Sequence, residues 1–371
     1  MRLLRRIIII IAVTVFGLAA LTYLFMQQKS FGKLPTGKRL ERVRQSPQYR
    51  DGSFQNLEKT TMLAEGVSYF RMMREFFSEG VDRTPAEPLH TVKTDLRALP
   101  AAEASLVWFG HSSYLLTLGG KRILIDPVFS KRASPVQFAG VGAFPMTDPY
   151  SVEDFPDIDI LIITHDHYDH LDYESILKLK DKVGLVCTAL GVGEHLEYWG
   201  IAPDKIHEFD WWEGAEIVPG FTLTATPARH FSGRGFTRNK TLWTSFVLQA
   251  AGYKLFLGGD SGYDGSFKAI GDKFGPFDLA LLECGQYNEK WPDIHMQPEN
   301  TVQASIDLKA KVLMPVHWGK FKLALHPWRE PVIRATQRAQ EIGVSVTTPK
   351  IGEVVRLNSS LPTERWWEGE K

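Results

Sequence analysis

The sequence predicts a mixed α/β (α+β) domain, an αββα sandwich in which two sheets pack together with helices outside. Three observations carry that expectation. Short apolar strands come in runs followed by helices, and the series occurs twice. Gly119-Gly120 sits between two strand-like segments and marks a hairpin turn. Several apolar strands end at a histidine or an aspartate, so one design repeats along the chain.

The first series has strands at 106–109, 114–118, 121–125 and 158–164, a helix at 173–180, and strands at 183–187 and 205–209. The second begins near Ala215. It has strands at 221–226, 244–250 and 254–257, helices at 267–274 and 301–308, a strand at 312–315 and a helix at 332–342. There is no short-period repeat and no low-complexity tract.

At 371 residues the chain is somewhat long for one domain. Its 43 basic and 43 acidic side chains cancel, which gives no global reason to expect a nucleic-acid partner. Cys187 and Cys284 each end an apolar run and are expected to be buried and structural, since two cysteines make no disulfide framework.

Residues 7–26 carry no charge, and twenty helical residues span about 30 Å, one bilayer core. Arg2, Arg5 and Arg6 precede them. The apolar run exceeds a signal-peptide core and no clean cleavage site follows, so residues 1–28 read as a single uncleaved membrane anchor. Lys29, Lys33, Lys38, Arg39, Arg42 and Arg44 follow it, and the positive-inside rule pulls both ways. The short arginine-bearing head resembles a signal-anchor, with the body of the chain outside the cytoplasm; the basic stretch could equally lie along an anionic membrane surface. Residues 29–104 read as a linker and an N-terminal helical or irregular region, 105–350 as the main domain and 351–371 as a C-terminal tail. Within the second of these, 67–77 has helical spacing with Val67, Phe70, Met73, Phe76 and Phe77 on one side. Packing on the core is the expected use of that face, and contact with lipid is the alternative.

The strongest chemical signal is Ile162-Ile-Thr-His165-Asp-His167-Tyr-Asp169-His170, where a strand delivers three imidazoles and a carboxylate within six residues. Neutral imidazole and carboxylate are ligands that zinc prefers. One strand end cannot close two metal spheres, and other strand ends supply more: Pro227-Ala-Arg-His230, Gly258-Gly-Asp260 and Pro315-Val-His317.

In the order of these motifs the sequence resembles the metallo-β-lactamase superfamily from about Leu106 to Thr347. The resemblance implies the metallo-β-lactamase fold and two zinc ions per chain. It implies that His165, His167 and His230 bind one ion, that Asp169, His170 and His317 bind the other, and that Asp260 bridges them; other divalent metals would accept the same ligands. Within the superfamily the chain is most similar to N-acyl-phosphatidylethanolamine-hydrolysing phospholipase D and its bacterial relatives. Trp108-Phe-Gly-His111, Asp126-Pro-Val-Phe-Ser130, His170-Leu-Asp-Tyr173, Asp210-Trp-Trp212, Gly259-Asp-Ser-Gly-Tyr263 and His317-Trp-Gly319 carry that likeness. It implies a membrane phospholipid substrate, cleaved by attack of a metal-bridging hydroxide on phosphorus. The anchor departs from the animal enzyme.

Asp169, Asp260 and His295 are the candidate catalytic residues, with His295 expected as a phosphate contact or general acid. Asp126 is expected either to orient a ligand histidine or to make a plain Asp-Pro turn, and His111 either to sit near the metals or to be a turn residue. His90, His195, His207 and His326 read as surface or structural. A lactone or other ester hydrolase is the alternative enzyme class, and a non-catalytic metal-binding envelope protein the non-enzymatic one. No G-x-S-x-G serine-nucleophile motif occurs.

Overall fold

The computed structural model describes residues 1–78 and 82–370. Thirteen strands form the two main sheets. The first contains β1 (Ser105–Trp108), β2 (Tyr114–Leu118), β3 (Lys121–Ile125), β4 (Ile158–Ile163), β5 (Val183–Ala189) and β6 (Ile206–Phe209). The second contains β7 (Gly214–Val218), β8 (Phe221–Thr226), β9 (Ser245–Ala250), β10 (Tyr253–Leu257), β11 (Leu279–Glu283) and β12 (Leu313–Val316). A last strand, β13 (Val354–Arg356), returns to the first sheet, whose order is β6-β5-β4-β3-β2-β1-β13; the second runs β7 to β12 in sequence.

In the first sheet β3 to β6 run parallel and β1, β2 and β13 are antiparallel additions. In the second, β7 to β10 are antiparallel and β10 to β12 parallel. The period of two places alternate residues in different cores. Leu106, Trp108, Ile123, Ile125, Ile160 and Ile162 face Phe246, Phe256 and Leu281 of the other sheet. Val107, Phe109, Leu124, Leu161 and Ile163 face the outer helices through Ile176, Leu196 and Trp199. Burial on both faces explains why β4 reads as a continuous apolar run rather than as alternation. Cys187 and Cys284 are buried and unpaired, as expected.

Among the described residues, eight α-helices accompany the sheets. α1 (Arg2–Met26) is long and apolar enough to cross a membrane, and none of its residues is buried. α2 (Gly37–Gln45) and α3 (Tyr69–Phe77) precede the sandwich. α4 (Tyr173–Leu179), α5 (Gly193–Tyr198), α6 (Ser266–Phe274), α7 (Pro298–Asp307) and α8 (Glu330–Ile342) lie within it.

Two expectations are corrected. The helix expected at 67–77 does form, but no residue of α3 is buried, because it lies across a cleft mouth rather than on a sheet. Residues 351–371 were expected to be a tail. Instead β13 pairs with β1, and Trp366 and Trp367 are buried against Trp318 in the inter-sheet core. Charged flanking residues hid the short strand, and a Trp-Trp pair near a terminus has no period to report. Residues 29–104 carry α2 and α3 and are tied to the rest of the chain: Arg39 pairs with Glu194 (2.8 Å) and Glu208 (2.9 Å), and Val43, Phe54, Leu89 and Leu96 are fully buried.

Trp367 is completely buried, so Trp367→Ala should cost about 3–5 kcal/mol of stability, as large aromatic deletions do. Chemical denaturation of the variant would measure it; a change under about 1 kcal/mol would make the C-terminal segment dispensable.

Candidate metal centre and active-site cleft

One edge of the sandwich gathers the exits of seven strands. His111 follows β1, Asp126 follows β3, and the loop from His165 to His170 follows β4; His230, Asp260, Glu283 and His317 follow or end β8, β10, β11 and β12. Local backbone serves this delivery. A side chain at Gly258 would come within 2.5 Å of the Leu281 carbonyl and one at Gly259 within 2.6 Å of the Thr244 carbonyl, so only glycines let β10 turn out to Asp260. His111, Asp126 and His317 adopt positive φ (54°, 40° and 66°), a conformation that side chains disfavour and that functional loops often hold.

Two groups of side chains meet there, and a third overlaps them through Asp260, Glu283, His295 and His317. The ligand atoms of His165, His167, His230 and Asp260 lie within 4.8 Å of one another, as do those of His111, Asp169, His170 and His317. His165 Nε2 lies 2.9 Å and His230 Nε2 3.2 Å from His167 Nδ1. Nitrogens bound tetrahedrally at about 2.0–2.1 Å stand roughly 3.3 Å apart, so this spacing fits one shared cation. Asp260 stands between the groups. Its Oδ2 faces His165 (3.8 Å) and His230 (3.6 Å), and its Oδ1 faces His170 (3.2 Å) and His317 (3.1 Å).

The hydrogen-bond pattern leaves atoms free for a metal. His230 Nδ1–H donates to the Ile294 carbonyl (2.8 Å) and His165 Nδ1–H to Thr164 Oγ1 (3.0 Å), so the Nε2 of each keeps its lone pair, while His170 Nδ1–H donates to Asp126 Oδ2 (2.7 Å) and turns Nε2 toward the carboxylates. His170 Nε2, His317 Nε2 and Asp260 Oδ1 are buried and find no hydrogen-bond partner among the described residues. Orphaned buried polar atoms are rare, and a cluster of them facing carboxylates is the mark of a site completed by cations.

The charge state agrees. Burial holds His165, His230 and His317 well below the ordinary histidine value, leaving them neutral and able to ligate. Burial also lowers His170, but Asp260, Asp169 and Asp126 outweigh it and raise its proton affinity. A metal entering beside His170 must displace that proton, so binding strengthens as pH rises.

Of the residues expected from sequence, the seven ligand candidates all converge. Asp126 does more than turn the chain, since it also accepts from Thr164 N–H (2.8 Å) and Thr164 Oγ1–H (2.7 Å) and so fixes His170. His111 Nε2–H donates to Asp169 (2.9 Å), and its ring lies 3.9 Å from that of His317. His295 reaches the cavity, its Nδ1–H donating to Glu283 Oε2 (2.7 Å). His195 is structural, buried against Asp166.

Two residues escaped the sequence reading. Glu283 is fully buried and its Oε1 also accepts from Ser261 N–H (3.0 Å) and Met296 N–H (3.1 Å), tying the Asp260 turn to the His295 loop. Its signal was the same strand-exit pattern, masked by an apolar run. Arg234 lies behind the metal loop, donating to the carbonyls of Asp166 (2.8 Å), Leu171 (2.7 Å) and Ser30 (2.8 Å); nothing in its loop sequence marks it.

Above the ligands lies a cavity of about 330 Å³. His167, Asp169, His230, Asp260, His295 and His317 form its polar floor; Tyr69, Met72, Met73, Phe76, Phe231 and Trp291 form apolar walls, and Arg238 stands at the rim.

Strand-exit imidazoles and carboxylates on an αββα sandwich define a class, the metal-dependent hydrolases. The chain belongs to the metallo-β-lactamase superfamily: the β-lactamase superfamily domain spans its residues 121–318. A Mycobacterium tuberculosis protein is 40% identical over 331 residues, 87% of this chain and 88% of its own. The N-acyl-phosphatidylethanolamine-hydrolyzing phospholipase D 1 of Caenorhabditis elegans is 32% identical over 228 residues, 58% of this chain and 64% of that enzyme. Among solved structures, Igni18, a metallo hydrolase of Ignicoccus hospitalis, has the same fold, with a TM-score of 0.53 and 22% identity over 68% of this chain and 98% of that one.

Asp126→Asn should lower affinity for the ion beside His170 by about 10–100-fold while leaving the other group intact. Elemental analysis after dialysis against a weak chelator would read it. Full occupancy in the variant would reduce Asp126 to a turn residue.

Proposed function

We propose that this protein is a zinc-dependent phosphodiesterase that hydrolyses a membrane phospholipid of the N-acyl-phosphatidylethanolamine type. The observation that carries the reading is the cavity itself, a floor of metal ligands beneath apolar walls. That cavity suits an amphiphile whose phosphoryl group meets the floor and whose chains meet the walls. The likeness to the C. elegans phospholipase supports the substrate class.

His165, His167 and His230 would hold one zinc ion, Asp169, His170 and His317 the other, and Asp260 both; a largely imidazole set suits zinc. When bound, the ions would lower the pKa of a water molecule and offset charge on the phosphoryl oxygens. The chain does the rest. Asp126, Thr164 and the Ile294 carbonyl fix the tautomers of the imidazoles. Glu283 accepts a hydrogen bond from His295 Nδ1–H and turns its ring toward the floor, 5.0 Å from the His230 ring and 5.3 Å from the His317 ring. Burial opposes the charge on His295, but Glu283 outweighs it and pushes the pKa up to about 9, so the imidazolium is ready to donate to the leaving oxygen. α1 would hold the enzyme on its substrate surface, with Arg2, Arg5 and Arg6 in its first turns at one end of the apolar stretch.

Hydrolysis in heavy-oxygen water tests the bond cleaved. Attack on phosphorus puts the label on the phosphatidic acid product and leaves the released alcohol unlabelled. Label in a fatty acid or hydroxy acid would instead establish ester or lactone chemistry.

His295→Gln should lower turnover by roughly 10²–10⁴ with both ions retained. The protonated form is the active one, so the wild-type rate should fall as pH rises through the His295 value, drawn below about 9 by the bound cations. The variant should lose that alkaline limb. An identical pH profile in the two proteins would remove His295 from proton transfer.

A further inference from the structure

Helix α3 is apolar on two sides. Tyr69, Met72, Met73 and Phe76 line the cavity, yet Phe70 and Phe77 turn outward and are 80% and 76% exposed. A nine-residue helix has little stability of its own. This one is held by the Ser68 cap and a Lys290–Glu75 ion pair (3.1 Å). Arg71 and Arg74 are exposed beside the two phenylalanines. Exposed aromatics flanking arginines are the composition of a helix lying in a membrane interface.

The position of α1 says which surface that would be. At its end, Phe25 rests on Phe31 (ring centroids 5.5 Å) and Phe138 (6.5 Å), and a side chain at Gly235 would come within 2.8 Å of Met26 Cε. A membrane-crossing α1 therefore brings residues 231–238 to the bilayer surface. The same loop supplies Phe231 and Arg238 to the cavity that α3 covers. Phe236 and Phe138 on this side are 84% and 77% exposed.

We propose that α3 is an interfacial lid whose outer face, Phe70 and Phe77, enters the headgroup–acyl boundary of the bilayer beside Phe236. Substrate lipid then passes between α3 and the 231–238 loop without crossing water, its phosphate met by Arg238. The proposal rests on the membrane-phospholipid reading above, and it is tested apart from it.

Both native cysteines are buried, so Phe77→Cys in the full-length, metal-bound protein takes a single polarity-sensitive thiol fluorophore. After reconstitution into phosphatidylcholine vesicles, the emission should shift to that of an apolar environment. Lipids brominated on their acyl chains should quench it several-fold. A label quenched by aqueous acrylamide and untouched by brominated lipid would overturn the proposal. In parallel, Phe70→Glu/Phe77→Glu should lower hydrolysis of vesicle phospholipid roughly tenfold or more while turnover of a soluble phosphodiester stays within about twofold. Equal loss on both substrates, or on neither, would refute a lid that works through the bilayer. An immersed label in a protein that cleaves no phospholipid keeps the lid and removes the substrate reading. Phospholipid cleavage with a water-exposed label does the reverse.

Discussion

Asp126 and Asp260 are buried, and Asp169 is only slightly exposed, among six imidazoles, and that arrangement needs positive charge to be tolerable. Isolated buried carboxylates would take up protons, and facing lone pairs would repel one another. Cations satisfy both demands at once. The sandwich is organised around presenting these groups at one edge, and metal binding is therefore part of what stabilises that edge.

Strain and support are distributed accordingly. His111, Asp126 and His317 hold left-handed backbone that each would avoid in a free loop. Around them the chain is pinned by groups with several simultaneous bonds. Asp126 clamps Thr164 and His170, Glu283 clamps Ser261, Met296 and His295, and Arg234 clamps both ends of the metal loop. These residues hold the ligands in place without touching a metal, and their bonds set the tautomer of the imidazoles that would.

What could be read in the sequence follows from what is local. The strands of both sheets carry their own period or apolar run, and the ligands stand one to seven residues beyond them, so the αββα order and the ligand types were legible. Burial that depends on distant partners was not. Trp366 and Trp367 enter the core only because β13 closes against β1, and α3 looked like a core helix because apolar spacing is the same whether a sheet or a cavity lies beneath it. Glu283 and Arg234 owe their roles to partners that a linear reading cannot bring together.

Contacts of great sequence separation complete the domain at both ends. Arg234 reaches 204 positions back to the Ser30 carbonyl, and β13 near residue 355 pairs with β1 near residue 106. Loops this long must close before their contacts repay the entropy, which makes folding slow and cooperative. The first sheet cannot be finished on a ribosome that has yet to deliver residues 354–356. β13 is therefore the last piece of the first sheet to become available, whereas Arg234 and the carbonyls it holds behind the metal loop are all delivered well before it.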